Sequence, residues 1–292
     1  MKHEYKPDPA IEDIVLRYSN RGMTILQKHL RKDYCRRTAK KLLSLKRGTV
    51  LLTTGFYVQG AAETDGPPGT MCLVCALKKL GFSPVIVTDD ICRGLFEPEQ
   101  IDVVYVNVGD DASVYEELLH MYAPVALISV ERCGHNRNND YTNMNGGSIA
   151  DQTARIDTMF ELAEKERIFT IGIGDGGNEI GMGNLKKQIA SDLVMDPCTV
   201  TVDELIVATT SNWGAYALVA SLELFSHKRL LLPYQKISHY LGRIVSLGCI
   251  DGVTRRMEQS VDGFPPSVEE EIIFALSSTV ESRKANGAKK AG

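Results

Sequence analysis

The sequence predicts an α/β protein: a doubly wound, mainly parallel sheet of about six strands, helices on both faces, and further helices at each end. Three observations carry that expectation. Short apolar runs alternate with helical patterns from Gly48 to about residue 225, and a βαβα alternation calls for parallel strands joined by right-handed crossovers. Polar, glycine-rich segments fall directly after the apolar runs, where the ligand loops of such sheets lie. The composition, 43% hydrophobic and 24% charged over 292 residues, is that of an ordinary globular chain able to bury a sizeable core.

Taken in order, residues 9–46 carry a helical pattern. Ile11, Ile14, Val15 and Tyr18 share one face, and a second segment runs from Met23 toward Leu45. Basic residues crowd this region, including Lys28, Arg31, Lys32, Arg36, Arg37, Lys40 and Lys41. Aromatic interleaving is nearly lacking, so the cluster reads as a solvated face rather than a nucleic-acid patch. Strands are expected at 50–54, 85–88, 103–107, 125–130, 168–173 and 205–209. Helical patterns lie between them near 70–80, 111–122, 150–166, 183–191 and 212–225, and more helix is expected over 233–280. The chain divides into an N-terminal helical segment (1–47), an α/β domain (48–282) and a tail (283–292) expected to be disordered.

The net charge of −4 gives no electrostatic case for nucleic acid or an anionic membrane. No apolar run reaches the length of a membrane span. The first residues have neither a signal-peptide core nor a transit-peptide composition, which makes a cytoplasmic location the expectation. Seven cysteines are scattered, and Cys72 and Cys75 sit in a helical apolar pattern, where two reduced thiols on one helix are expected.

The most informative stretch is 168–184. An apolar run feeds a loop with glycines at 172, 174, 176, 177, 181 and 183, and with Asp175, Asn178 and Glu179 among them. Such a loop lets the main chain press against a ligand. Its two acids would repel a bare phosphate and suit a metal ion, an ammonium group or proton transfer. The other strand-end segments add Glu63, Asp65, Arg132, His135, Tyr141, Asn143, Ser211, Asn212 and Trp213. In the predicted topology all converge on one edge of the sheet.

Four strings occur in this order: Glu-Thr-Asp-Gly-Pro-Pro-Gly (63–69), Glu-Arg-x-Gly (131–134), Gly-Asp-Gly-Gly-Asn-Glu-x-Gly-Met-Gly (174–183) and Ser-Asn-Trp-Gly-x-Tyr-Ala-Leu (211–218). Together they resemble the D-glutamate cyclase family, in its C-terminal domain, over about residues 48–225. The resemblance implies conversion of D-glutamate to 5-oxo-D-proline with loss of water.

That reaction needs a base for the ammonium, donors for the oxyanion, an acid for the leaving hydroxyl and a tightly held substrate. Asp175 and Glu179, then Glu63 and Asp65, are the candidates for proton transfer. The competing roles are loop-shaping hydrogen bonds for the first pair and helix N-terminal charge for the second. Asp175, Glu179 and Asp65 are also candidate ligands for Mg²⁺ or Mn²⁺. Arg132 is the candidate carboxylate clamp, against an ion pair with Glu131 or Asp151. Gly174, Gly176, Gly177, Asn178, Ser211, Asn212, Trp213, Tyr141 and Asn143 are candidate substrate contacts, and His135 reads as a loop residue. The expected partner is a small amino acid, with no nucleic acid and no membrane, and a homodimer is the candidate assembly. Gly172-x-Gly174-x-x-Gly177 also matches a dinucleotide pattern. NAD chemistry, Mg²⁺-dependent phosphoryl transfer and a non-catalytic binder are the alternatives.

Overall fold

A computed structural model describes residues 10–291, with side chains to residue 286. In chain order the elements are α1 (Ile11–Val15), α2 (Met23–Leu26), α3 (Tyr34–Ser44), β1 (Thr49–Thr53), β2 (Tyr57–Val58), β3 (Ala61–Ala62), α4 (Pro67–Leu80), β4 (Ser83–Asp89) and β5 (Val103–Val106). There follow α5 (Ala112–Tyr122), β6 (Ala126–Val130), α6 (Thr158–Glu166), β7 (Phe169–Gly174), α7 (Lys186–Gln188), β8 (Glu204–Val207), α8 (Ser211–Ser226), α9 (Tyr234–Ser246) and α10 (Pro266–Ala291).

Six strands form one sheet in the order β5-β4-β1-β6-β7-β8, and every pairing is parallel. The chain walks outward from β1 to β5, then returns to lay β6 on the other side of β1. That reversal opens a crevice outside the carboxyl ends of β1 and β6, the place where ligands bind in such sheets. The central strands are buried along nearly their whole length, because helices cover both faces.

Helix α8 is the hub of one layer. It is buried from Ser211 through Glu223 and packs against α4, α3, α10 and α1. An all-round apolar helix can be stable only inside such a layer. Helices α5 and α6 pack against each other, and α6 also contacts β7. All six expected strands are present within a residue or two of their expected bounds.

The helical expectations need more correction. Tyr18 lies beyond α1 at φ 63 and is 51% exposed, so it leaves the face of Ile11, Ile14 and Val15. The pattern from Met23 to Leu45 is broken at 30–33, where Asp33 takes φ 56. The expected helix over 150–166 is a 3₁₀ turn (Ala150–Gln152) and then α6. Residues 249–265 between α9 and α10 are irregular. Position 9, where the first helical pattern was expected to begin, lies outside the described residues. The backbone of α10 is helical to Ala291.

Candidate active site

The strand ends deliver a ring of carboxylates to the crevice. After β1, the β2–β3 hairpin returns Glu63 and Asp65 to the start of α4. The end of β6 supplies Glu131, held at φ 48. The end of β7 supplies Asp175 and Glu179. Two residues come from outside the six-strand frame: Arg21, on the loop between α1 and α2, and Asp262, in the irregular segment before α10. A cleft of about 480 Å³ opens beside them, lined by Arg21, Glu63, Glu131, Asn143, Asn178 and Asp262 with others.

Two helix N-termini are locked together beneath the cleft. The Asp65 carboxylate accepts from Ser211 N (2.7 Å) and Asn212 N (2.8 Å) at the start of α8. Reciprocally, Asn212 Oδ1 accepts from Gly66 N (3.0 Å) and Gly69 N (2.7 Å) at the start of α4. Each side chain caps the other's helix, satisfying amides that a helix start leaves unpaired. The glycine at 69 is required by proximity, since a Cβ there would sit 2.8 Å from Ala215 Cβ.

Glu179 folds the glycine loop upon itself. Its carboxylate accepts from Gly176 N (2.6 Å) and Gly177 N (2.7 Å). It is fully buried, and these hydrogen bonds shape the loop. Asp175 is equally buried. One of its oxygens takes a 2.6 Å bond from Arg21, and the other has no partner. Arg21 also pairs with Asp262 and donates to Thr209 O at 3.3 Å. Ser211 Oγ donates to Glu131. The Glu63 carboxylate has no hydrogen-bond partner among the described residues and lies against Gly252.

So many acids around one cation hold protons tightly. Burial, then Asp262 and Asp65, push the Glu63 carboxyl well above its ordinary range. Burial, then Glu179 and Glu63, do the same for Glu131. Asp175 is raised by burial despite the opposing pull of Arg21. Burial and Asp262 push Asp65 to about 7 against the pull of its two helix amides. For Arg21, burial opposes the charge, but Asp175 and Asp262 outweigh it and the guanidinium keeps its proton.

One carboxylate oxygen each of Asp65, Glu131 and Asp175 lie within 4.8 Å of one another. Two of the three expected metal ligands are thus brought together. Glu131 stands where Glu179 was expected, because Glu179 is turned to the loop amides.

Arg132 is placed elsewhere than a clamp would be. It is buried, and its guanidinium donates to Asp89 (2.6 Å), Gly55 O (2.9 Å) and Ala154 O (2.8 Å), tying three loops together. The ion-pair alternative is realised with Asp89 rather than Glu131 or Asp151. Arg132→Met should therefore cost stability, about 3–5 kcal/mol, because it strands a buried Asp89. Urea denaturation checks this, and unchanged stability with a raised KM would contradict it.

Tyr141 is turned from the cleft, its hydroxyl donating to Asp157 (2.6 Å), which also holds His135 Nδ1 (2.8 Å). Trp213 is fully buried against Phe264. Gly174, the last residue of β7, and Gly176 and Gly177 in the loop are buried, and Asn143 and Asn178 line the cleft. The sequence reading missed Arg21, Asp262 and the direct role of Glu131. Arg21 precedes a run of surface cations, and Asp262 lies past the last motif. Only Glu131 had a signal, its place in the Glu-Arg-x-Gly string.

A family model described as "D-glutamate cyclase-like, C-terminal" matches residues 11–277. The human protein "D-glutamate cyclase, mitochondrial" is 31% identical over 211 residues, which is 63% of this chain and 34% of that relative's length. Among solved structures, an exopolyphosphatase-related protein from Bacteroides fragilis aligns with TM-score 0.42 and 11% identity, covering 86% of this chain and 58% of that one. WbmG from Bordetella bronchiseptica, in complex with NAD, aligns with TM-score 0.31 and 13% identity over 61% and 50%. Both structural likenesses are too distant to bear on function.

Proposed function

The chain belongs to the D-glutamate cyclase-like, C-terminal family, and from that premise we propose that it closes D-glutamate, or a close relative, to 5-oxo-D-proline with loss of water. The observation that supports this most is a cleft in which several buried carboxyl groups gather around a paired arginine.

The chemistry suits such a site. An ammonium and a carboxylate become a lactam and water. The bond from nitrogen to the γ-carboxyl carbon forms, and one bond from that carbon to oxygen breaks. The ammonium sheds two protons, and both leave on the departing oxygen. Nothing is oxidised or reduced, so the protein need only move protons and hold the chain folded. A carboxylate in water is proton-free at neutral pH. Burial among like charges raises the proton affinity of Glu63 and Glu131 well above that of such a carboxylate. Glu63, with no hydrogen bond of its own, takes the proton-transfer role with Glu131 as partner. The unpaired Asp175 oxygen receives the ammonium, and Arg21 holds a carboxylate through its remaining N–H groups. The seven cysteines are all free, which suits a reducing compartment.

Nucleotide readings lose support from the loop itself. The amides of Gly176 and Gly177, which a phosphate would need, are taken by Glu179. A divalent ion is the second reading for the acid recess, because Asp65, Glu131 and Asp175 offer hard oxygen donors to Mg²⁺ or Mn²⁺. Bound there, such an ion would polarise the γ-carboxyl. Mass spectrometry of D-glutamate incubated with the purified protein tests both readings. Loss of one water, unaffected by dialysis against a chelator, is expected. Unchanged D-glutamate counts against cyclisation, and loss of turnover restored by Mn²⁺ assigns the recess to a metal.

A further inference from the structure

The cleft carries a second arginine that no acid engages. Arg255 lines the cleft beside Gly252 and Val253 and is exposed. Among the described residues its guanidinium has no ion pair or hydrogen bond, although Glu63, Glu131 and Asp262 line the same cleft. Its backbone is fixed in the left-handed region at φ 58, which a non-glycine residue keeps only where its surroundings impose it.

The surroundings that impose it centre on Asp251, which is fully buried. Its carboxylate accepts from Val253 N (2.8 Å), Thr254 N (2.7 Å), Ser260 Oγ (2.6 Å) and Gly263 N (2.8 Å). Its carbonyl accepts from Arg255 N at 2.8 Å. One buried acid thus sets the position of Arg255 at the mouth and of Asp262, next to Gly263, in the interior. A loop with no regular secondary structure is held in one shape, and that shape gives the cleft an unpaired cation.

An amino dicarboxylate brings two negative groups and one positive group. The reacting carboxyl and the amine must go to the acids inside. The other carboxylate then remains at the mouth. Resting on the cyclisation reading, we propose that Arg255 grips this non-reacting α-carboxylate and makes the site selective for α-amino dicarboxylates. A planar guanidinium binds a carboxylate through two parallel hydrogen bonds, which a lysine cannot reproduce.

The test separates this contact from turnover. The product, 5-oxo-D-proline, keeps only the α-carboxylate, and pyrrolidin-2-one lacks it. Calorimetry on the full chain should show wild type binding 5-oxo-D-proline at least about tenfold more tightly than pyrrolidin-2-one. Arg255→Gln should erase that preference, and Arg255→Lys should keep part of it. With D-glutamate, Arg255→Gln should raise KM far more than it lowers kcat, while 4-aminobutyrate, which lacks the α-carboxylate, should be handled equally by both proteins. A preference that survives Arg255→Gln, or none in the wild type, overturns the proposal. Intact carboxylate preference without turnover of D-glutamate would instead count against cyclisation alone.

Discussion

Glu63→Gln is expected to lower kcat by on the order of 10²–10⁴-fold, the usual contribution of a general acid or base, while making the fold more stable at alkaline pH. The two effects share one cause. Glu63 is 6% exposed and its carboxylate has no hydrogen bond among the described residues. Burial, then Asp262 and Asp65, raise its proton affinity in the native state. An acid raised in this way binds its proton more strongly folded than unfolded. Its contribution to stability is therefore complete below the ordinary carboxyl value and is lost as pH rises through the raised one. Glutamine fixes the neutral form. Calorimetric melts should show variant and wild type close together at about pH 5 and the variant ahead by a few degrees at about pH 8. Equal melts at both pH values with full activity would remove Glu63 from the mechanism.

Arg21→Ala should be the most damaging single change in the cleft. Arg21 is the cation that pairs with Asp175 and Asp262, and its side chain is 19% exposed. Its removal leaves two carboxylates confined beside Glu63, Glu131 and Asp65. A loss of about 3–5 kcal/mol is expected, as when one partner of a buried pair is deleted, together with loss of turnover. Adding Asp262→Asn should restore most of the stability, because it removes one stranded charge, yet leave turnover lost, because the reacting γ-carboxylate would lack the cation proposed to hold it. Urea denaturation and initial rates on the single and double variants check this. Recovery of turnover in the double variant would show that Arg21 is only structural.

The sheet was legible in the sequence because parallel strands buried on both faces leave unbroken apolar runs with polar loops at their ends. The glycine string, Glu63, Asp65, Asp175, Asn178 and Asn212 announced themselves by falling directly after those runs. What each acid does was not legible. Glu179 and Asp65 are candidates for proton transfer in sequence, and in the structure their carboxylates accept from the amides of 176–177 and 211–212. Glu63 reads as Asp65 does, a proton-transfer candidate or a helix-start acid, and it stands unpaired in the cleft. Arg132 belongs to a recognisable string, and its partner Asp89 is 43 residues away, on a strand whose place beside β1 no local pattern reveals. Arg21 and Asp262 are 241 residues apart and meet only because α1 and α10 pack together. Sequence periodicity reports which face of an element is buried. It does not report which distant loops share an edge.

The most direct measurement is real-time proton NMR of wild type and Glu63→Gln, each mixed with D-glutamate or L-glutamate. The account predicts that 5-oxoproline resonances grow from D-glutamate with wild type and stay near background with Glu63→Gln. Conversion at the same rate by both proteins, or no conversion of D-glutamate by wild type, would contradict it.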